Sequence, residues 1–389
     1  MRILSALTIA LALAVLVAPV SPRPAAAQSE VTFAIVGDFG VNAATEQNVA
    51  AMIDSWAPQF VVTTGDDYYG GAGGTGQGRY DFAVGKYYCK YLKDAFSGTN
   101  CPTTSQTSTL NAFFPVLGNH DWSDAGPNTY QTYLDYFTLP GTGFTNSSGN
   151  ERYYDFVQGP VHFFMVNADP HEPDGNDSAS TQAQWLQARL AASSSVWNLV
   201  LFHHPAYSSG NVHGSTIYMQ WPFAAWGADA VISGHDHTYE RIGRDGIVYF
   251  VNGLGGNSPY GFGAPLAGSQ ARYNSNRGAQ RVTASSDAIT FQFLSIDNGG
   301  TVQDTRTLLA PGNPAPPGDC NGDLTVNAAD LSGLVLEIFD GDGSTSGGAP
   351  NGSYAGDPNG CDANLDGAVD AGDVSCAANI LFGQGSCAQ

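Results

Sequence analysis

Five times in this chain an apolar run breaks off into polar residues able to bind a metal. The stretches are Gly37-Asp38-Phe39-Gly40, Gly65-Asp66-Asp67-Tyr68-Tyr69, Gly118-Asn119-His120-Asp121, His203-His204-Pro205 and Gly234-His235-Asp236-His237. Short apolar runs bounded by such residues read as buried strands. Val31 to Val36 and Phe60 to Thr64 are two of them. Between them, Thr45 to Trp56 has helical spacing, with Val49, Met52, Ile53 and Trp56 on one side. This is a βαβ unit, and ligands bind α/β sheets at the carboxyl ends of their strands.

The rest of the chain extends the pattern. Phe113 to Leu117 delivers Asn119 and His120, Trp197 to Phe202 ends at His203, and Ala228 to Ile232 ends at Gly234-His235. Arg152 to Val157 and Val161 to Val166 pair across Gly159-Pro160. Ile247 to Asn252 continues the β pattern, and Val282 to Ala284 with Ala288 to Ile296 close a sheet. Helices are expected over Tyr80 to Phe96, Tyr130 to Phe137 and Thr181 to Ala191. Gly70 to Gly78 is a flexible loop, because its spacing is wrong for a phosphate-cradling P-loop and the Lys-Ser/Thr is missing.

Donor chemistry gives these strand ends a meaning. Carboxylate and phenolate oxygens are hard anionic donors that suit trivalent iron, whereas imidazole and amide suit a divalent partner. Asp66 with Tyr69 is the informative pair, and Tyr68 is a competing phenol one residue out of register. His235 and His237 are two apart, so an extended segment puts them on one side. Two metals held ~3.5–4 Å apart can bind a phosphoryl group, generate hydroxide and stabilise a leaving oxygen.

In this order, the motifs resemble those of the metallophosphoesterase (calcineurin-like phosphoesterase) superfamily. Through Gly-Asp-x-x-Tyr at Gly65 to Tyr69 they resemble its purple acid phosphatases, over roughly residues 31–300. The resemblance implies an α/β fold, a β-sandwich flanked by helices, with a dinuclear centre of Fe(3+) and a divalent Fe, Zn or Mn. Carried over by position, Asp38, Asp66, Tyr69 and His237 hold the ferric ion. Asp66, Asn119, His203 and His235 hold the divalent ion, with Asp66 bridging. His203 is preferred to His204 because the family ligand stands before x-Pro, and Pro205 fixes that register. His120 matches the proton-donating histidine and His213 a further substrate-contacting one. The implied function is an acid phosphatase that hydrolyses small phosphate monoesters by attack of metal-bound hydroxide. The alternatives are a metallophosphodiesterase or nucleotidase on the same site, and a surface-attached calcium-dependent binding protein with a degenerate catalytic domain.

Arg2, the apolar run Ile3 to Val20, the prolines after it and Ala25-Ala26-Ala27 have the layout of a secretory signal peptide over residues 1–27. A secreted protein is expected, extracellular, at the cell surface or periplasmic, with no membrane span after cleavage. An even six cysteines then suggest disulfides. Cys89 and Cys101 are local partners, while Cys320, Cys361, Cys376 and Cys387 allow three connectivities. Net charge is −21 and no basic run occurs, which argues against nucleic acid and anionic membrane as partners. An acidic protein that handles phosphate needs metal ions to supply the positive field.

Residues 311–318 (PGNPAPPG) form a Pro/Gly linker between a catalytic domain over residues 28–310 and a second domain over residues 319–389. Beyond the linker lie ten Asp and one Glu with no Lys or Arg, so the tail holds −11 of the −21. Asp319, Asn321, Asp323, Thr325 and Asp330 stand at positions 1, 3, 5, 7 and 12 of a calcium loop. Asp362, Asn364, Asp366, Ala368 and Asp373 repeat that register. Each loop runs into a short apolar helix candidate, Leu331 to Phe339 and Val374 to Phe382. The pair resembles a type I dockerin, a small α-helical module of duplicated calcium loop–helix units, which implies bound calcium and a cohesin-like partner. Leu324 stands where the sixth loop position expects glycine, and the insert from Asp340 to Gly360 and the four cysteines also depart from the pattern.

Overall fold

The computed structural model describes residues 29–123, 130–310, 318, 320, 326–328, 330–331, 334, 361, 363 and 371–382. Its strands are β1 (Val31–Val36), β2 (Phe60–Thr63), β3 (Phe113–Phe114), β4 (Tyr154–Gln158), β5 (Val161–Met165), β6 (Trp197–Leu201), β7 (Ala230–Ser233), β8 (Tyr239–Arg244), β9 (Ile247–Asn252), β10 (Ser269–Tyr273), β11 (Gly278–Ala284), β12 (Ala288–Ser295) and β13 (Thr301–Leu309). They form a sheet in the order β13-β12-β11-β1-β2-β3 and another in the order β10-β8-β9-β7-β6-β5-β4. The first sheet is parallel at its β3 end, β1 with β2 and β2 with β3, and the second in its middle, β5 with β6, β6 with β7 and β7 with β9.

Strand periodicity sets the layers. Successive side chains point to opposite faces, and in the second sheet both faces are covered. Phe163, Leu199, Leu201, Ile232 and Phe250 turn inward to the core shared with Phe33, Phe60 and Phe291 of the first sheet. Their neighbours Phe164, Val200, Phe202 and Val231 turn outward onto Leu186 and Leu190. Those leucines belong to helix Thr181–Ala191, which starts where the Ser180 side chain accepts a hydrogen bond from the Ala183 amide. Two buried faces explain the near-continuous apolar runs. Edge-to-face rings close the seam between the sheets, with Phe163 5.1 Å from Phe33 and 5.5 Å from Phe60. Helix Ala44–Ser55 lies against the first sheet and buries Val49, Met52 and Ile53. The result is a mixed α/β fold of two sheets flanked by helices.

Several expected elements differ. Tyr80 to Phe96 is not one helix: Gly78–Tyr80, Asp81–Gly85, Lys86–Tyr88 and Cys89–Tyr91 wind through α, π and 3-10 turns, and Leu92 is extended. The Cys89–Cys101 disulfide holds this segment to a returning loop whose Asn100 and Cys101 amides donate to the Asp81 carboxylate. These non-local ties override helical spacing. β3 stops after Phe114, because Pro115 has no N–H for a sheet ladder. β11 begins at Gly278 rather than Val282.

Strands β8, β10 and β13 escaped the sequence reading. The β8–β9 hairpin had a visible signal. Asp245-Gly246 is its two-residue turn, with φ of 55° and 82°, and Asp-Gly is a preferred pair for such turns.

In the tail, Cys320 pairs with Cys361, and Cys376 is also disulfide-bonded. Helix Ala371–Leu381 carries Asp373, and both Asp373 and Asp330 are fully buried. Asp319, Asn321, Asp323, Thr325, Asp362, Asn364, Asp366, Ala368 and Cys387 lie outside the described residues, as do residues 1–28 and all of the linker but Gly318. No helix among the described residues is long and apolar enough to cross a membrane.

Candidate active site

The carboxyl ends of β1, β2 and β3 in one sheet and of β6 and β7 in the other open onto one place. Asp38 follows β1, Asp66 and Tyr69 follow β2, and Asn119 and His120 open the short helix Asn119–Ser123 after β3. His203 follows β6, and His235 and His237 follow β7. Each sheet thus contributes part of the constellation: the oxygen donors and His120 from the first, His203, His235 and His237 from the second.

Ligand atoms of Asp38, Asp66 and His203 lie within 4.8 Å of one another, and all three residues are buried. His203 Nε2 lies 3.0 Å from Asn119 Oδ1, 3.3 Å from Asp66 Oδ1 and 3.2 Å from His235 Nδ1. On the other side, Tyr69 Oη lies 3.4 Å from Asp38 Oδ1 and 3.2 Å from His237 Nε2, which is 3.5 Å from Asp38 Oδ1. The two phenols are thereby distinguished: Tyr68 Oη donates to the Gly70 carbonyl instead. His203, not His204, reaches Asn119 and Asp66. The His203 and His237 rings engage carbonyls through Nδ1, at Thr64 (2.7 Å) and Ser258 (2.9 Å). Such a bond fixes the ring and presents Nε2 as a lone pair.

His120 is half-buried, its ring 4.4 Å from that of Tyr69 and its amide donating to Asp66 Oδ1 at 2.9 Å. His213 is exposed and stacks on His235 with centroids 3.9 Å apart. All seven expected metal ligands and both expected catalytic histidines therefore belong to one connected cluster.

The backbone that delivers them is unusual. Asp38, Asp66 and His235 have φ of 58°, 54° and 70°, in the left-handed region that costs a non-glycine residue about 1–3 kcal/mol. Cross-links between loops hold it: Asp38 N to Gly65 O at 2.9 Å, Tyr69 N to Gly40 O at 2.8 Å and Gly234 N to His203 O at 3.0 Å. The His235 amide donates to the Asp38 carboxylate across the sandwich, at 3.0 Å. Gly118 is required by space, because a Cβ there would overlap the Asp66 carboxylate and amide.

Electrostatics favour a cation. Asp38 and Asp66 are buried, and their ion-pair partners are the imidazoles of His237 and His203. Burial alone would lower the His203 pKa, but Asp66 and Asp38 lift it to about 10. Burial also works against the charge of His237, and Asp38 overrides it in the same direction. Burial, with Asp66 and Asp38 alongside, pushes the Tyr69 phenol well above its ordinary value. A phenol so placed ionises only against a strong Lewis acid.

Sequence reasoning missed the supports. Asp121 accepts from the Gly118 amide (2.8 Å), the Asp67 amide (3.2 Å) and Tyr80 Oη (2.9 Å), bracing the β2 and β3 loops together. Burial, with Asp66 nearby, raises Asp121 to about 7. Tyr260 stacks on His237 at 3.9 Å, with its amide donating to the His237 carbonyl. Asp121 was visible within Gly118-Asn119-His120-Asp121, but only its non-local partners reveal its task. Tyr260 had no local signal.

Residues 31–239 match the calcineurin-like phosphoesterase family, and the chain belongs to that family. Among curated proteins, it is similar to purple acid phosphatase 15 of Arabidopsis thaliana, with 28% identity over 250 residues, 58% of this chain and 44% of that protein. Purple acid phosphatase 23 of the same plant shares 28% over 250 residues, covering 58% of this chain and 52% of its own length. An acid phosphatase of Aspergillus ficuum shares 28% over 204 residues, 41% of this chain and 31% of that protein. The chain thus spans about half the length of the first two relatives, 44% and 52%.

Two solved structures share the fold. One is a purple acid phosphatase from yellow lupin (Lupinus luteus) seeds, with a TM-score of 0.55 and 17% identity, covering 72% of this chain and 54% of that one. The other is the anchor in the inner membrane complex of Plasmodium, with a TM-score of 0.54 and 20% identity, covering 73% of this chain and 90% of that one.

Proposed function

We propose that this chain is a secreted acid phosphatase of the purple type, acting on small phosphate monoesters at a centre of ferric iron and divalent Fe, Zn or Mn. The observation that carries this reading is the Tyr69 phenol oxygen, 3.4 Å from Asp38 and 3.2 Å from His237. Carboxylate, phenol and imidazole together are a donor set for a hard trivalent ion. Asp38, Asp66, Tyr69 and His237 would hold the ferric ion. Asp66, Asn119, His203 and His235 would hold the divalent ion, with Asp66 shared. The donors fit such a pair: the carboxylates are buried, and His203 and His237 have Nδ1 engaged and Nε2 turned inward.

When bound, the ions lower the pKa of a coordinated water and neutralise phosphoryl charge. The chain's own residues do the rest. His120 gives its proton to the departing oxygen. The bond from its amide to Asp66 fixes where that ring starts. His213, stacked over His235, would meet a phosphoryl oxygen of the bound substrate.

The iron-loaded protein should show a visible phenolate-to-iron band that Tyr69→Phe removes and Tyr68→Phe leaves. His120→Ala should lower kcat on an alkyl phosphate by roughly 10²–10⁴, with a smaller loss on a nitrophenyl ester, whose leaving group needs less help. A band that survives in Tyr69→Phe, or undiminished turnover of an alkyl phosphate by His120→Ala, overturns the reading. A preference for an aryl diester over the monoester would make the protein a phosphodiesterase.

For the tail we propose two calcium sites, the first from Asp319, Asn321, Asp323, Thr325 and Asp330 and the second from Asp362, Asn364, Asp366, Ala368 and Asp373. The full burial of Asp330 and Asp373, at the twelfth position of each loop, supports this, since buried carboxylates are paired or coordinate metals. Disulfide-bonded cysteines in both the catalytic part and the tail support secretion. A cohesin-like protein is the proposed partner of this module.

A further inference from the structure

The Gly234–His237 stretch holds a buried acid outside the ligand set. Asp236 stands between His235 and His237 in a bend with His235 left-handed, not in the extended segment expected there, and its side chain leaves the ligand cluster for the 208–214 loop. There the carboxylate, fully buried, accepts three hydrogen bonds from one loop: Ser208 Oγ at 2.6 Å, the Gly214 amide at 2.9 Å and the His213 amide at 3.2 Å. Gly210 packs so closely on it that a Cβ there would overlap the carboxylate. Ser208 Oγ in turn accepts from the Gly210 amide at 2.9 Å. The far side of the loop is tied down as well. Gly263 N donates to Ser209 O at 2.7 Å, and Asn211 N donates to Gly261 O at 3.1 Å.

These ties have one consequence at the site. His213 is exposed, and its neighbour Gly214 has φ of 69°. Ordering such a segment costs conformational entropy at every residue. Yet the His213 ring stands at a defined place, stacked on His235 with centroids 3.9 Å apart.

We propose that Asp236 is a positioning residue: its carboxylate holds segment 208–214 so that the His213 imidazole is set over His235 before substrate arrives. The functional half of this rests on His213 being a substrate contact, as read above. Preorganisation removes an ordering cost from each binding event. Asparagine at 236 keeps the shape but puts an amide donor in place of one acceptor oxygen, facing either the His213 amide or the Gly214 amide with Ser208 Oγ, all of which need an acceptor.

The test uses full-length Asp236→Asn, His213→Ala, the double variant and Ser208→Ala, each checked for equal metal content. Ser208 is hydrogen-bonded to Asp236 and to no ligand side chain, so Ser208→Ala carries the test should Asp236→Asn load less metal. KM and kcat are measured on an aryl monoester, and amide hydrogen exchange is followed in parallel. Asp236→Asn should raise KM roughly ten- to hundredfold, matching His213→Ala, and the double variant should be no worse than His213→Ala. Ser208→Ala should shift KM the same way by less. The His213 and Gly214 amides should lose protection in both Asp236→Asn and Ser208→Ala, while β6 and β7 keep theirs. Multiplying effects in the double variant, or unchanged protection at His213 and Gly214, overturns the proposal. His213→Ala with unaltered KM overturns its functional half whatever the exchange shows.

Discussion

At the scale of single residues, the site depends as much on missing atoms as on present ones. Gly118 has no room for a methyl group against Asp66. Gly118→Ala should therefore displace the Asp66 carboxylate, and activity should fall by roughly a hundredfold or more while the circular dichroism stays native. Metal analysis checks it; a fully loaded and active Gly118→Ala protein would count against Asp66 as the shared ligand. Left-handed Asp38, Asp66 and His235 make the same point. Aspartate and histidine tolerate that region better than most residues, and a β-branched residue does not.

At the scale of elements, legibility followed burial. β1, β2 and β6 were readable because both of their faces are largely buried and the sequence runs nearly continuously apolar, interrupted within the runs only by Thr32 and Asn198. Helix Thr181–Ala191 was readable from spacing alone. β8 and β13 were not, because polar side chains interleave with apolar ones in Tyr239–Arg244 and Thr301–Leu309. The residues of the candidate cluster were legible because each sits just beyond an apolar strand. Asp121, Asp236 and Tyr260 were not, because their tasks exist only across loops distant in sequence. The β4–β5 hairpin gives a test at this scale. Asp155 on β4 is bonded to His162 on β5 (2.7 Å), to Arg189 (2.7 Å) and to Ser147. Burial works against its charge, yet His162, Ser147 and Arg189 together hold its pKa below the ordinary value. A depressed folded pKa stabilises above the unfolded pKa and stops doing so as pH falls through the folded one. Asp155→Asn should thus cost about 2 kcal/mol at neutral pH, and the gap in denaturant midpoint should close below pH ~4. A gap that persists in acid would mean that the loss is one of packing.

At the scale of the whole molecule, the catalytic part and the acidic tail make separate demands. The chelator-treated full-length chain should take up two calcium equivalents in calorimetry, and Asp319→Asn and Asp362→Asn should each remove one. Phosphatase activity should be untouched in both variants, and unaltered calcium uptake in them would rule out the loop assignment. The division of the active site between the two sheets has its own consequence. Oxygen donors arrive from one sheet and the imidazoles of His203, His235 and His237 from the other, so any ion held by both is a rivet through the sandwich. Sliding one sheet over the other would pull the donors apart, and by mass action each bound ion resists that slide. A metal bound there would thus also be a fastener, and its loss would loosen the fold along the seam between the sheets.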